Sequence, residues 1–586
     1  MNKGKEKNIK QQTPNIKQNN YLYAVQNTDK IHIQHLAEIC ARKGMKQVVL
    51  SPGSRCAPLV IAFNRHPEIE CFSIVDERSA AFFALGLAQQ SGKPVGLICT
   101  SGSAVLNYAP AVAEAFYQKI PLVLLTADRP NEWIDQGENQ SIQQFEVFKN
   151  YIKKSYQLPT NVSTKEDLWY CDRLVSEALN NAVFPSFGPV HVNIPLREPL
   201  YTLVKAQTLD VKIVEAAKAN ISVELQELES LKTIWKKAKK KLIVVGLQKH
   251  HNPKIKEVLS VLNKQDDIVV LHESISNFSA ENTFGQIDPL IEVISKNKLK
   301  DFVPEVIITF GNGVVSKKLK FWLRNNEVKQ HWHISNNFEH WDNFQALTKV
   351  IQSDVVNFFN ELKAVESSAS NYFTLWKKLE EKVKVFSSNY LKETVYSDFK
   401  VFENIMKKIP EGTNIHFGNS TPVRYANLIS LPKNITVNAN RGVSGIDGQV
   451  STALGASVFN KKLTICITGD LALMYDSNAF WNNYLHPNFK VILINNNGGN
   501  IFKIIPGPGS LQEVDKYFET NNRYSAAHLC NLHDLDYLLA NNEQELEEKL
   551  SLFFSKKNKA SLLEIKTDGD ISATILKKYF EALPTI

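Results

Sequence analysis

Apolar residues along this chain come in short, β-branched runs, each closed by a turn of small or polar residues. In the first third the runs are Gln47-Val48-Val49-Leu50, Val95-Gly96-Leu97-Ile98-Cys99 and Pro121-Leu122-Val123-Leu124-Leu125. The middle holds Leu242-Ile243-Val244-Val245, Ile268-Val269-Val270-Leu271 and Val306-Ile307-Ile308-Thr309-Phe310. The last third holds Leu463-Thr464-Ile465-Cys466-Ile467-Thr468, Lys490-Val491-Ile492-Leu493-Ile494 and Ser561-Leu562-Leu563-Glu564-Ile565. Runs this short and this continuously apolar read as strands buried on both faces. Helical patterns lie between them, for example over 79–88, and the spacing predicts a further helix over 471–483. Strands alternating with helices imply parallel, doubly wound sheets, so the expected class is α/β with three such domains.

The expected division is a first domain over 21–205, a second over 206–375 and a third over 376–586. Charged residues crowd 206–241 and a polar helical stretch covers 361–400, marking the two passages between domains. Residues 1–20 are rich in Lys, Gln and Asn, lack an apolar core and are expected to be a disordered tail rather than a signal peptide. With 586 residues, 43% hydrophobic and 22% charged, the chain can bury a large core without disulfides. Its seven cysteines are odd in number, scattered and free of CxxC pairs, which suits reduced thiols in the cytoplasm. The net charge of +8 comes from 68 basic against 60 acidic residues, a mild excess. The run from Lys236 to Lys241 reads as a solvated helix end, so nothing suggests a nucleic-acid partner. No apolar run approaches the roughly 18 residues of a membrane span.

The candidate chemistry is concentrated in the third domain. Gly469-Asp470 closes one apolar run, and Asn495-Asn496-Asn497-Gly498-Gly499 closes the next, with Asp470 and Asn497 lying 27 positions apart. One βαβ unit therefore carries its polar residues at the carboxyl ends of two strands, where open α/β sheets bind ligands. An Asp and an Asn there offer hard oxygen donors for Mg²⁺, and a helix start beside Asp470 can receive a diphosphate. This pairing resembles the diphosphate-and-metal motif of thiamine-diphosphate enzymes. The likeness implies thiamine diphosphate with Mg²⁺ (or Mn²⁺), anchored by Asp470, Asn497 and a backbone carbonyl near Gly499. Such enzymes also need a carboxylic acid beside the aminopyrimidine and an apolar support that bends the cofactor. From composition alone, Asp76 and Glu77 are ordinary helix-start acids. The segment from Asp76 to Gly86 nevertheless resembles the catalytic-glutamate segment of this class, which makes Glu77 the acid. Ile446, inside the loop Asn440-Arg441-Gly442-Val443-Ser444-Gly445-Ile446-Asp447-Gly448, is the candidate support. Ser444, Gly469, Leu471, Ile501 and Phe502 are the further cofactor contacts the resemblance implies. The turn Gly311-Asn312-Gly313 is a weak nucleotide signal without a complete GxGxxG, so the middle domain reads mainly as scaffold.

Five motifs together sharpen the resemblance: Ser51-Pro52-Gly53-Ser54-Arg55, Asp76-Glu77-Arg78-Ser79, Thr126-Ala127-Asp128-Arg129-Pro130, the loop from Arg441 to Gly448, and Asn495 to Phe502. In this order they closely resemble the 2-succinyl-5-enolpyruvyl-6-hydroxy-3-cyclohexene-1-carboxylate (SEPHCHC) synthases of menaquinone biosynthesis. The likeness implies pyrimidine-binding, central and diphosphate-binding domains. It also implies a homodimer, with Glu77 of one chain facing Asp470 of the other, and leaves a tetramer open. The implied substrates, 2-oxoglutarate and isochorismate, each carry two carboxylates, which suit the planar fork of arginine. Arg55, Arg129, Arg424 and Arg441 occupy the matching positions, with Ser54, Asn139, Gln140 and Ser420 beside them. Lys317 and Lys318 fall where the family carries a Lys-Arg pair; the second position departs from that pattern, which puts a bidentate contact by Lys318 in question. Alternatives left open are a simple 2-oxoacid decarboxylase, an acetohydroxyacid synthase, or a cofactor-binding regulator that has lost catalysis.

Overall fold

The structure is a computed structural model that describes residues 26–217, 221–505, 507, 509, 511–520 and 524–584. The expected disordered tail over 1–20 lies outside the described residues. Three parallel sheets organise the chain. The first places Glu70–Ser73, Gln47–Leu50, Val95–Cys99, Leu122–Asp128, Val190–Pro195 and Ser155–Gln157 side by side in that order. The last places Thr436–Asn438, Asn414–Phe417, Thr464–Gly469, Phe489–Asn495, Ser561–Lys566 and Asp536–Ala540. Counted along the chain, both sheets read 2-1-3-4-6-5, a repeat of topology with no visible repeat of sequence. The central sheet reads 2-1-3-4-5, and a short antiparallel ribbon pairs Gln26–Thr28 with Leu203–Lys205. Strands such as Val95–Cys99 and Phe489–Asn495 are buried along their whole length because helices cover both faces. In each outer sheet the chain leaves strands one and three in opposite directions, which opens a crevice at their carboxyl ends.

Two local expectations are corrected. The helix expected over 471–483 is Asp470–Tyr475 followed by a 3₁₀ turn, Ser477–Phe480. Asp476 breaks it because its carboxylate is committed elsewhere: it accepts hydrogen bonds from the Ser451 backbone nitrogen at 2.8 Å and hydroxyl at 2.7 Å. It thereby caps the helix Gln449–Asn460, whose own cap position, Gly448, has no side chain to do so. Lys241, expected on a solvated helix end, opens a buried strand with its ammonium 2.5 Å from Asp267, and both side chains are shut off from solvent. A buried ammonium persists only with such a partner.

The helix Tyr372–Glu393 joins the central and third domains into one core. Its Trp376 packs on Phe284, Phe302 and Trp322, while Phe386 and Tyr390 pack on Tyr579. The first and third domains meet through the helices Glu77–Ser91 and Gln449–Asn460, which share a second core. A Cβ on Gly86 would lie 2.0 Å from the Thr452 carbonyl oxygen, and one on Gly455 would lie 2.0 Å from the Phe83 carbonyl oxygen. The two backbones approach so closely that only hydrogen fits at either glycine. Gly455→Val is expected to destabilise the fold by about 1–3 kcal/mol or more, read as an earlier denaturant midpoint. An unchanged midpoint would mean that the helices do not meet there.

Candidate active site

The strands Thr464–Gly469 and Phe489–Asn495 lie side by side, which brings Asp470 against the asparagine turn. Asp470 is buried; its carboxylate oxygens accept from the Leu471 nitrogen and the Gly498 nitrogen, each at 2.8 Å. Burial raises its carboxyl above the ordinary range, and those two N–H groups pull it part of the way back. The three asparagines divide their work. Asn495 donates to Glu564 at 2.6 Å and Asn496 donates to Asp398 at 2.9 Å, so both side chains point inward and are pinned. Asn497, at φ +69°, is turned outward and exposed. Gly499, at φ +80°, takes a conformation that favours glycine, and a Cβ there would press on the Leu471 methyl at 2.7 Å. Ile501 and Phe502 follow in the short helix Ile501–Ile504, both half-buried, with Phe502 against Phe518.

Glu77 opens the helix Glu77–Ser91, with Asp76 as its cap. Burial raises the Glu77 carboxyl, a helix N–H opposes that, and the neighbouring Asp76 adds to the rise. Its charge reaches Cys56, Cys99 and Tyr108 at the carboxyl edge of the first sheet. At that edge the hydroxyls of Ser51, Thr100, Ser101 and Tyr108 are buried without a hydrogen-bond partner, as is Ser79 in the first turn of the helix. Tyr108 lies within reach of Ser51 and Cys99 yet closes no well-aligned bond. Buried hydroxyls left unpaired at a ligand-binding edge fit a polar heteroaromatic ring that would satisfy them. Beside this edge Asp76 accepts from Asn478 at 2.6 Å and Arg78 donates to the Tyr475 carbonyl at 2.7 Å, which ties the acid's helix to the segment after Asp470.

The loop from Asn440 to Gly448 is held on three sides. Glu114, buried in the first domain, accepts from the nitrogens of Gly442 and Val443 at 2.7 Å each. Asn419 donates to the carbonyls of Asn440 and Gly445 at 2.6 Å each, and Gln449 donates to Gly445 at 2.9 Å. Ser444 sits at φ +65°, and Ile446 remains 37% exposed, an apolar side chain left uncovered.

The cations form two groups. In the first domain Arg55 is buried, donating to the Leu196 carbonyl at 2.9 Å and to Glu198 at 3.1 Å, with Arg129 close enough to depress its ionisation after burial. Arg129 donates to the Asn139 carbonyl at 3.0 Å and keeps a buried Nε without partner. Ser54 shares a hydrogen bond with Tyr201 at 2.9 Å, and the side chains of Asn139 and Gln140 are exposed. In the second group Arg424 and Arg441 face each other, and Arg441 donates to Asn419 at 3.0 Å. Ser420, at φ +74°, precedes the short helix Thr421–Tyr425 that carries Arg424. Lys317 is exposed at the start of the helix Lys317–Arg324. Lys318 turns away: its ammonium pairs with Glu292 and lies 4.2 Å over the Phe580 ring. Sequence reasoning missed Glu114, Asn419, Glu273 and Lys320, all of which surround this group. The available signals were slight: an acid on the alanine-rich helix Ala109–Gln118, and a third lysine three positions after Lys317.

Two doubly wound outer domains in one topology, an acid at one sheet edge and an Asp-Asn pair at the other define a thiamine-diphosphate enzyme. Residues 33–147 match the family described as "Thiamine pyrophosphate enzyme, N-terminal TPP binding domain". The chain is 41% identical to the 2-succinyl-5-enolpyruvyl-6-hydroxy-3-cyclohexene-1-carboxylate synthase of Flavobacterium johnsoniae over 551 residues, 94% of this chain and 98% of that protein. It is 42% identical to the synthase of that name from Flavobacterium psychrophilum, covering 94% and 98%. The counterpart from Bacteroides thetaiotaomicron is 36% identical, covering 95% and 99%. This chain belongs to the SEPHCHC synthase family.

Asp476 supplies a pH test of how the site is held. Burial pushes its carboxyl from the ordinary 3.8 up to about 7. Between those values the folded chain keeps a proton that the unfolded chain has lost, so this group's contribution to stability falls as pH rises. Asp476→Asn keeps the shape without the charge. Its thermal midpoint should gain on that of the wild type between about pH 4 and about pH 7; a difference constant with pH would contradict the assignment.

Proposed function

We propose that this protein decarboxylates 2-oxoglutarate and adds the resulting four-carbon unit to isochorismate, giving SEPHCHC in menaquinone biosynthesis. The observation that carries the reading is the pair of arginine groups, Arg55 with Arg129 and Arg424 with Arg441. One pair lies in the domain of the acid, the other in the domain of the diphosphate anchor. Arg55 is buried beside Glu198, Arg129 lies beside Glu138, and Arg424 and Arg441 are half-buried. Paired guanidinium groups of this kind suit substrates that carry two carboxylates. Near-complete alignment with the synthases named above supports the same substrates.

Thiamine diphosphate, when bound, supplies the electron sink that makes decarboxylation of a 2-oxoacid possible. The chain's own residues do the rest. Glu77, whose burial favours the protonated form, holds a proton at the pyrimidine ring nitrogen. Ile446 would supply an apolar surface against the cofactor, and Ser444, Gly469, Leu471, Ile501 and Phe502 would line its site. Asp470, Asn497 and the Gly499 carbonyl would hold Mg²⁺ or Mn²⁺, hard cations that prefer such oxygen donors.

A homodimer completes the site in this reading. Val75, Leu106, Tyr117, Val443, Tyr475 and Trp481 are 46–52% exposed, on the acid's domain and the anchor's domain alike. Apolar groups shared between two half-sites suit a two-fold interface in which each half meets the other chain's complement. No helix among the described residues is long and apolar enough to cross a membrane. All seven cysteines are free thiols, as in a reducing compartment such as the cytoplasm.

The decisive assay combines purified protein, thiamine diphosphate, Mg²⁺ and both substrates, following isochorismate loss and CO2 release together. One isochorismate should disappear per CO2, dependent on every component; CO2 release indifferent to isochorismate would reduce the protein to a decarboxylase. Glu77→Gln should retain cofactor affinity while turnover falls by about two orders of magnitude or more. Wild-type rates in that variant would remove Glu77 from the chemistry.

A further inference from the structure

The turn that carries Asn497 is tied to the sheet through its neighbours, and one buried acid directs how. Glu564 is fully buried in the strand Ser561–Lys566, between the strands Phe489–Asn495 and Asp536–Ala540. Four donors point at its two side-chain oxygens. One oxygen accepts from the Asn495 amide at 2.6 Å. The other accepts from the Tyr537 hydroxyl at 2.8 Å, the Ala526 nitrogen at 3.0 Å and the Ser525 hydroxyl at 3.4 Å. All four donors are neutral, so the acid orients them rather than balancing a cation.

The consequence runs through Asn495, which is itself buried. An amide has one donating end and one accepting end, so whatever holds the first decides where the second points. Glu564 takes the donating end. The Asn495 oxygen is thereby turned to the Asn497 nitrogen, from which it accepts at 3.2 Å. This is an Asx turn, in which a side chain captures the backbone N–H two residues on. It steadies Asn497 in the left-handed conformation, φ +69°, that L-residues other than Asn and Asp rarely take. The next nitrogen, that of Gly498, is taken by Asp470 at 2.8 Å. Asn495 and Asp470 thus hold consecutive N–H groups of the turn, while the Thr567 nitrogen donates to the Asn495 carbonyl at 3.1 Å. With the backbone fixed in this way, the Asn497 side chain faces outward.

We infer that Glu564 is a positioning residue for the metal anchor: it sets the polarity of the Asn495 amide, which presents Asn497 as a donor to the cation. The inference rests on the reading of Asp470, Asn497 and the Gly499 carbonyl as the donors for Mg²⁺ or Mn²⁺. Groups that orient a metal's ligands without touching the metal typically govern about 10–100-fold of its affinity.

The polarity of this relay can be reversed by substitution. In Asn495→Asp, two carboxylates face each other acceptor to acceptor. In Glu564→Gln, the new NH2 group confronts either the Asn495 amide or the Ala526 nitrogen, donor to donor. With both substitutions every donor again meets an acceptor. The new glutamine donates to the new aspartate, whose other oxygen receives the Asn497 N–H, and the glutamine oxygen keeps Ala526 and Tyr537.

The test measures Mn²⁺ binding by the full-length protein with saturating thiamine diphosphate, read as loss of the paramagnetic resonance signal of free Mn²⁺. The metal-free thermal midpoint of each variant confirms that it is folded at the temperature used. Asn495→Asp and Glu564→Gln should each weaken Mn²⁺ binding about tenfold or more, and the double variant should return to within about threefold of wild type. Tyr537→Phe removes a donor from the other Glu564 oxygen; it should lower the midpoint yet leave Mn²⁺ affinity within about twofold of wild type. The inference is overturned if both single variants bind Mn²⁺ as the wild type does, or if the double variant is no better than the singles. It is overturned equally if Tyr537→Phe weakens binding as much as Glu564→Gln, the mark of a general packing defect. A wild type that takes up no Mn²⁺ beyond what thiamine diphosphate itself binds would instead remove the donor reading, and this inference with it.

Discussion

The contact between the helices Glu77–Ser91 and Gln449–Asn460 is the constraint on which the site depends. The first helix begins with the acid; the second begins where the loop from Asn440 to Gly448 ends. Gly86 and Gly455 let the two backbones touch, and Phe82 covers Gly448 at the entrance of the second helix. Interiors are close-packed, so such a contact admits one register and resists sliding. The acid's domain and the anchor's domain are therefore set relative to each other by two hydrogen atoms where other residues would carry side chains. Arg78 and Asn478 then lock the same junction with hydrogen bonds at its rim.

Around that junction the buried polar groups follow one rule. Acids that are not offered to a ligand are spent on backbone N–H groups: Glu114 on the loop that carries Ile446, Glu273 on the helix that starts at Lys317, Asp476 on the helix that follows Gly448. Each stabilises a loop or helix end that a functional side chain needs. The cations are gathered in two places, Arg55 and Arg129 beside Glu198 and Glu138, and Arg424 and Arg441 beside Glu273. Carboxylates held in this way are rigid, and they would be costly if left unpaired.

Much of the fold was legible in the sequence. Continuous apolar runs located the principal strands of all three sheets because strands covered on both faces leave no alternation to obscure them. The helix expected over 471–483 failed at Asp476, since an acid's preference for a distant helix end is invisible in local periodicity. Lys241 was misread for a similar reason: a lysine run looks solvated until a buried aspartate claims one member. The three asparagines of the turn were indistinguishable in sequence, yet two are pinned by Glu564 and Asp398 and one is free to face the crevice.

By itself the sequence determined the α/β class with its three parallel sheets, and it nominated the acid, the anchor pair and the arginines, because each is a residue type at a fixed place relative to a strand end. Tertiary structure alone decided which cations converge. Lys318 and Lys320 are equivalent in composition and nearly so in position, but a helix turns about 100° per residue, which sends neighbours to different surroundings. Only the packed neighbours, Glu292 and Phe580 on one side and Glu273 and Arg441 on the other, determine what surrounds each lysine.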